Sequence, residues 1–314
     1  MRYIGELREG EMVSETYLCK SKQTLKTKAG KNYYSLILQD KSGTLDAKIW
    51  ELSAGIDHFE AMEYIRVDGQ VISFQGTLQL NVKRVRRSQE GEYDPADFVP
   101  TTTKNIDEMF NEILKFIGSV QQPYLKKLLE SFFVEDKNFV EQFKKHSAAK
   151  SVHHSFVGGL LEHTLSVVKL CDFYAGNYPI INRDLLITAA IFHDIGKMEE
   201  LSSFPENDYT DDGQLLGHIY IGTEIIGAKI RTIPNFPPQL ASQLKHCILA
   251  HHGELEYGSP KKPALIEALA LNFADNTDAK LQTMSEIIKS GDEKMTWLGL
   301  SRLFDTNIRR TTIS

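Results

Sequence analysis

Between residues 10 and 88 apolar residues fall in short β-rich runs separated by polar and glycine-containing turns, and the segment reads as strands. YYSLILQD (33–40) and TLDAKIWE (44–51) are rich in aromatic and aliphatic residues and are separated by KSG, a turn. EYIRVDGQVISF (63–74) and TLQLNVKRV (77–85) repeat the form around QG, which predicts a second hairpin. A long first run from Met12 to Lys26 brings the total to five strands, and HFEAM (58–62) is expected to supply a short helix between the third and fourth.

The pattern then changes. SQEGEYDPADFVPTTT (88–103) carries prolines and threonines without periodicity, as a linker does. From Asn105 onward apolar residues recur at three- and four-residue spacing, in IDEMFNEILKFI (106–117), PYLKKLLESFF (123–133) and KNFVEQFKKH (137–146). Further helices are expected over SFVGGLLEHTLSVVKLCDFYAG (155–176), LLITAAIF (185–192), GHIYIGTEIIGAKI (217–230), from Pro238 to the His251-His252 pair, and over 263–281. Gly158-Gly159 marks either a helix start or a close backbone approach to substrate, and Asn182 is a plausible N-cap. The predicted division is therefore 1–90, a linker at 91–104, and an all-α region over 105–314.

The helical half sets polar residues where polar residues are expensive. His193-Asp194 ends the apolar run inside IFHDIGK (191–197), and burying such a pair uncompensated costs several kcal/mol. A cation would remove that cost; a helix end at which both side chains satisfy backbone groups is the simpler alternative. His163, His218, His251, His252 and Asp275 also sit in or beside apolar helical segments. Imidazole and carboxylate ligands together suit Mn, Fe, Co, Ni or Zn, and the lack of cysteine ligands argues against a structural zinc cage.

The order His163, His193-Asp194, Asp275 resembles the H…HD…D signature of the HD phosphohydrolase superfamily. That resemblance implies that these four residues form the basic metal site. It further implies that His218 and His251 hold a second ion, with Asp194 bridging the two. Of the adjacent histidines His251 is taken as the ligand, with His252 as the alternative. Lys197, three residues beyond Asp194, is a candidate for neutralising a phosphoryl oxygen or, alternatively, a helix-end cation. His153-His154 is expected in a solvated loop, since no apolar context surrounds it.

The five predicted strands, with a helix between the third and fourth, resemble the OB-fold, a small barrel that often binds single-stranded nucleic acid. Lys26, Lys28 and Lys31 in the first loop, Tyr33 and Trp50, and Lys83 and Arg84 in VKRVRR (82–87) are the candidate contacts. Filling the barrel core is the competing role for the aromatics. Such a barrel followed by an HD domain resembles the YhaM-type 3′–5′ exoribonucleases along the whole chain, including HHG…YGSP…P near the end. The resemblance implies single-stranded RNA as substrate, in some members also DNA, degradation from the 3′ end, and two ions per chain with Mn²⁺ preferred. The GYP triplet of cyclic-dinucleotide phosphodiesterases is absent after His251-His252, and Gly159 stands where some trinuclear members have Glu. A nucleotide or cyclic-nucleotide phosphohydrolase, and a non-catalytic single-strand-binding protein, are the alternatives.

Composition adjusts this picture only locally. The net charge is −6, yet residues 1–90 carry 14 Lys and Arg against 12 Asp and Glu, while the remainder carries 22 against 30. Net charge alone would not suggest a nucleic-acid partner; the clustering of lysines and arginines does. Three cysteines without paired spacing and no signal-like or membrane-spanning run lead to the expectation of a cytoplasmic protein with no membrane partner. Homo-oligomerisation is left open, as is the role of the basic C-terminal tail.

Overall fold

Strand β1 (Met12–Lys26) is long enough to pair on both sides at once, and this closes the N-terminal sheet. Its first half runs antiparallel to β4 (Tyr64–Phe74) and its second half antiparallel to β2 (Asn32–Asp40), with a register shift between Cys19 and Ser21. With β3 (Gly43–Ile49) and β5 (Thr77–Arg87) the order is β1-β2-β3-β5-β4, a closed barrel in which only the β3–β5 pairing is parallel. The computed structural model describes the chain except residues 54, 75, 151–153, 292–294 and 313–314.

The apolar residues of the β-rich runs are what fill this barrel. Leu36 and Leu38 of β2, Leu45, Ala47 and Ile49 of β3, and Val67 and Val71 of β4 all point inward and are buried. Closure pairs each of the five strands on both sides, which removes the free edges of an open sheet. Gly69 makes one close approach possible: a Cβ there would lie 2.6 Å from the carbonyl oxygen of Asn81, beside a bulge in the β4–β5 ladder.

Two expectations for this unit need correction. Residues 58–62 form no helix. They run as an irregular segment that delivers one apolar side chain, Phe59, fully buried, into the barrel core, where a helix would have needed a repeating apolar face. The expected linker is also more than a tether. Tyr93 stacks on Tyr64 with centroids 4.1 Å apart, Phe98 is fully buried, and the Gln39 side-chain amide donates to the Phe98 carbonyl at 3.1 Å. Two aromatics within a proline-containing stretch suffice to pin it to the barrel.

The chain divides into two compact units, Met1–Thr101 with Ser203–Asn207, and Thr102–Ser202 with Asp208–Ser314. The second is helical: α1 (Ile106–Ser119), α2 (Pro123–Phe133), α3 (Lys137–Lys145), α4 (Gly159–Asn177), α5 (Arg183–Phe192), α6 (Lys197–Glu200), α7 (Asp211–Thr232), α8 (Pro238–Leu249) and α9 (Ile266–Ser290). Residues 185–192 of α5 are buried on every side, all apolar but Thr188, whose hydroxyl donates to the Asp184 carbonyl, and α5 packs against α4, α8 and α9. Asn182 caps it, its side chain accepting from the Leu185 amide. Gly158 caps α4 at φ +84, and a Cβ on Gly159 would meet the carbonyl oxygen of His154 at 2.0 Å, so the glycine pair starts the helix against the chain's own backbone. The tail departs from the all-α region expected over 105–314: it is a hairpin of β6 (Trp297–Ser301) and β7 (Thr306–Arg309). No helix among the described residues is long and apolar enough to cross a membrane.

Candidate metal centre

The HD dipeptide lies in a four-residue turn between α5 and α6, fully enclosed. α5 stops at Phe192, which frees Asp194 from helical geometry and lets both its carboxylate oxygens be used. One oxygen, Oδ2, stands 3.3 Å from His163 Nε2 on α4 and 3.4 Å from His193 Nε2. Asp275 on α9 completes this group, with Oδ1 3.2 Å from His163 Nε2 and 3.9 Å from His193 Nε2. The other oxygen, Oδ1, stands 3.4 Å from His218 Nε2 and 3.7 Å from His251 Nε2. His252 sits beside these two, so His218, His251 and His252 form a second group of potential ligand atoms within 4.8 Å of one another.

The backbone explains why α7 can reach. It breaks at Gly217 (φ 74, ψ 153), and His218 opens the helix that follows. Gly196, in the HD turn, lets that segment close in, because a Cβ there would lie 2.0 Å from the His218 carbonyl oxygen.

The protonation pattern suits an ion. His193 Nδ1 donates to the Ala190 carbonyl at 2.7 Å and His251 Nδ1 to the Ile248 carbonyl at 2.7 Å, the same three-residue reach at two helix ends. His252 Nδ1 donates to the Tyr257 carbonyl at 2.8 Å. With the proton fixed on Nδ1, each Nε2 presents a lone pair. Burial, and secondarily the neighbouring His252, push the His251 pKa well down, and burial and the neighbouring His218 lower that of His252. His163 behaves oppositely: burial alone would depress it, but Asp194, Asp275 and Asp278 together hold it well above the ordinary value. Asp194 and Asp275 are held low despite burial, the first chiefly by the Lys197 charge and the second by its contact with His163.

Among the described residues, Asp194 Oδ1, His218 Nε2 and His251 Nε2 are buried without a hydrogen-bond partner. Three orphaned acceptors converging on one point would be costly in a dry interior. A divalent cation satisfies all three, and the donor set is the nitrogen-and-oxygen set such ions prefer. The residues present therefore fit the metal.

Lys197, the first residue of α6, places Nζ 2.7 Å from Asp194 Oδ2. Burial would lower its pKa, but Asp194 outweighs burial and raises it, so the ammonium is retained. The expected solvated loop at 153–154 is corrected for its second residue. His154 is 2% exposed, with Nε2 3.0 Å from Asp278 Oδ2; His153 lies outside the described residues. Sequence reading misses Asp278 and Glu200. Asp278 follows Asp275 by three, on one helix face, which is a usable signal; nothing local marks Glu200.

In the barrel, Tyr33 and Trp50 stack on each other outside the core, centroids 4.5 Å apart and planes 27° apart. Lys26, Lys28 and Lys31 are exposed at the β1–β2 end. Lys83 and Arg84 are also exposed, but Arg84 lines a 330 Å³ surface cavity with Arg66, Asp68 and Asp57 on the β4–β5 side. The structure does not group it with the Tyr33–Trp50 pair.

Five antiparallel and parallel pairings in this order make an OB-like barrel, and the second unit has the fold and the His/Asp clusters of an HD-domain metal-dependent phosphohydrolase. Residues 160–280 match the HD domain family, a span that contains every ligand candidate named above. Among solved structures, a chain of a replication protein A heterotrimer bound to ssDNA is similar over 27% of this chain and 62% of its own, under two thirds of its length, at 15% identity and TM-score 0.22. The second OB-fold domain of replication protein A from Methanococcus maripaludis is similar over 29% of this chain and 98% of its own, at 20% identity and TM-score 0.22. The barrel assignment here rests on strand order and not on those two likenesses.

Proposed function

We propose that the chain is a metal-dependent 3′–5′ exoribonuclease that hydrolyses single-stranded RNA, and single-stranded DNA as well, to 5′-mononucleotides, with two Mn²⁺ ions per chain. The observation that carries the hydrolytic part is Asp194, whose two oxygens face two separate imidazole groups. Two divalent ions held there supply a nucleophile from water at neutral pH and offset the charge of a phosphoryl group.

The residues then have distinct tasks. His163, His193 and Asp275 with Asp194 would hold one ion, and His218 and His251 with Asp194 would hold the other, with His252 adjacent. Lys197 keeps its charge beside Asp194, where it can meet a non-bridging phosphoryl oxygen as negative charge grows. In the barrel the stacked pair of half-buried Tyr33 and exposed Trp50 offers aromatic surface for bases, and Lys26, Lys28 and Lys31 offer cations for the phosphates, a sequence-tolerant combination for single strands. Tethering such a binder to a phosphodiesterase raises the concentration of strand at the cutting site. Cleavage from the 3′ end and the preference for Mn²⁺ rest on the resemblance to YhaM-type enzymes.

The test is incubation with Mn²⁺ and oligonucleotides labelled at either end. A 5′-labelled RNA should shorten in single-nucleotide steps, whereas a 3′-labelled one should release only labelled 5′-mononucleotide. Hydrolysis of free nucleotides or cyclic nucleotides with intact oligonucleotides would replace the proposal with a nucleotide phosphohydrolase. Tight strand binding without any hydrolysis would leave a binding protein.

A further inference from the structure

Five histidines turn Nε2 toward the two ligand groups, and every one of them rests its Nδ1 on an oxygen. For His193, His251 and His252 that oxygen is a backbone carbonyl. For the other two it is a carboxylate: His163 Nδ1 lies 2.7 Å from Asp278 Oδ2, and His218 Nδ1 lies 3.0 Å from Glu200 Oε1. Each group thus contains one carboxylate-backed histidine. We propose that Asp278 and Glu200 are positioning residues that set the two metal pockets separately, Asp278 acting through His163 and Glu200 through His218.

A carbonyl and a carboxylate do different things behind an imidazole. Both fix ring orientation and tautomer, but the carboxylate adds a full negative charge, which makes the opposite nitrogen a stronger donor to a cation. Asp278 is well placed to do this because it is itself clamped. Its Oδ2 also takes His154 Nε2 at 3.0 Å, and its Oδ1 accepts from the Ser166 hydroxyl. Glu200 is held differently: Oε1 accepts from the His218 backbone amide at 2.9 Å as well as from its ring. It therefore fixes the histidine and the start of the helix after the Gly217 break through one oxygen.

His154, His163 and Asp278 lie close enough together to be considered as a third ion site. Their spacing favours the hydrogen-bonded relay. Atoms each about 2.1 Å from one ion stand roughly 3.0–3.4 Å from each other, whereas His163 Nδ1 and Asp278 Oδ2 are 2.7 Å apart. An ion at that place would also require His163 to ligate through both nitrogens at once, since Nε2 already faces Asp194 and Asp275.

This inference rests on the two-ion reading of the clusters and is indifferent to which phosphodiester is cut. The test is calorimetric titration of the purified, chelator-treated full chain with Mn²⁺, together with thermal melts of each variant. Wild type should take up two ions. Asp278→Asn should weaken one site about 10–100-fold and leave the other, Glu200→Gln should do the same to the other site, and the double variant should weaken both. Added to His163→Ala, Asp278→Asn should cause no further loss, because its effect passes through that ring; a merely structural role would add to it. Ser166→Ala, which loosens Asp278 from outside the pocket, should produce a smaller loss at the same site and covers the case in which Asp278→Asn does not fold. Fewer than two ions in wild type would remove the two-ion reading itself. Two ions in wild type with both affinities kept within twofold in Asp278→Asn and Glu200→Gln would overturn the inference alone. So would a third ion per chain that His154→Ala abolishes.

Discussion

The α-carbon of Gly196 faces the carbonyl oxygen of His218 so closely that a Cβ on it would lie 2.0 Å away, and 2.6 Å from the Gly222 amide nitrogen. The HD turn and the helix that carries the second imidazole group therefore meet backbone to backbone. Gly196→Ala should force them apart, destabilising the chain by about 1–3 kcal/mol as overpacking does. It should also weaken one Mn²⁺ site by moving His218 from Asp194. A thermal melt and an ion titration unchanged from wild type would contradict this.

Asp194→Asn should abolish hydrolysis with the fold kept, because the amide offers one neutral acceptor where two anionic oxygens are needed. The activity to follow is Mn²⁺-dependent hydrolysis of bis-p-nitrophenyl phosphate. More than about a tenth of the wild-type rate remaining would exclude a bridging role, given the 10–100-fold losses typical at metal sites.

Lys197→Ala should lower turnover more than it raises the apparent KM, since a cation that meets charge built up in the transition state contributes little to ground-state binding. A change confined to KM would reassign the residue to substrate binding.

Charge reversal of Lys26, Lys28 and Lys31 together should leave bis-p-nitrophenyl phosphate hydrolysis unchanged, because a molecule that small has no use for a strand groove. Long RNA should bind more weakly. The slope of log affinity against log salt should flatten by about 2, since each single-strand phosphate that a lysine neutralises adds roughly 0.7 to it. An unaltered slope would take the β1–β2 end out of the binding surface.

Phe59→Ala tests the role of residues 58–62 as an irregular segment with a single anchor. A fully buried aromatic at the heart of the barrel should cost about 3–5 kcal/mol when truncated. Chemical denaturation of the full chain should show the barrel unfolding earlier; an unshifted midpoint would mean the side chain is not a core element.

How far the chain announces its own structure follows from the range of the forces involved. Strands β1 to β5 are visible in the sequence because each is a run of aromatic and aliphatic residues bounded by turn residues, and β3 and β4 also alternate buried with half-buried positions; both signals are set by neighbours along the chain. The largely apolar run 185–192 announces a central helix for the same reason. HFEAM misleads because one anchoring phenylalanine carries no period, and the tail hairpin escapes because WLGLS and TNIR are too short to show one. At the centre, the histidines and aspartates of the two ligand groups stand out as polar residues in apolar surroundings. Glu200 does not: its partner His218 is 18 positions away, and the pairing exists only because a glycine lets two backbones meet. His154 misleads for a related reason, since its partner Asp278 comes from α9, more than a hundred residues later.

The Tyr33–Trp50 stack has a bearing on how a strand would be held. In the free protein each ring already has a partner, so a base that settles on Trp50 exchanges one π-interaction for another instead of covering a bare surface. The net gain per base would therefore be smaller than an isolated indole would give. If the barrel binds strands as proposed, such a pair would act as a weak, exchangeable stacking site and not as a fixed clamp.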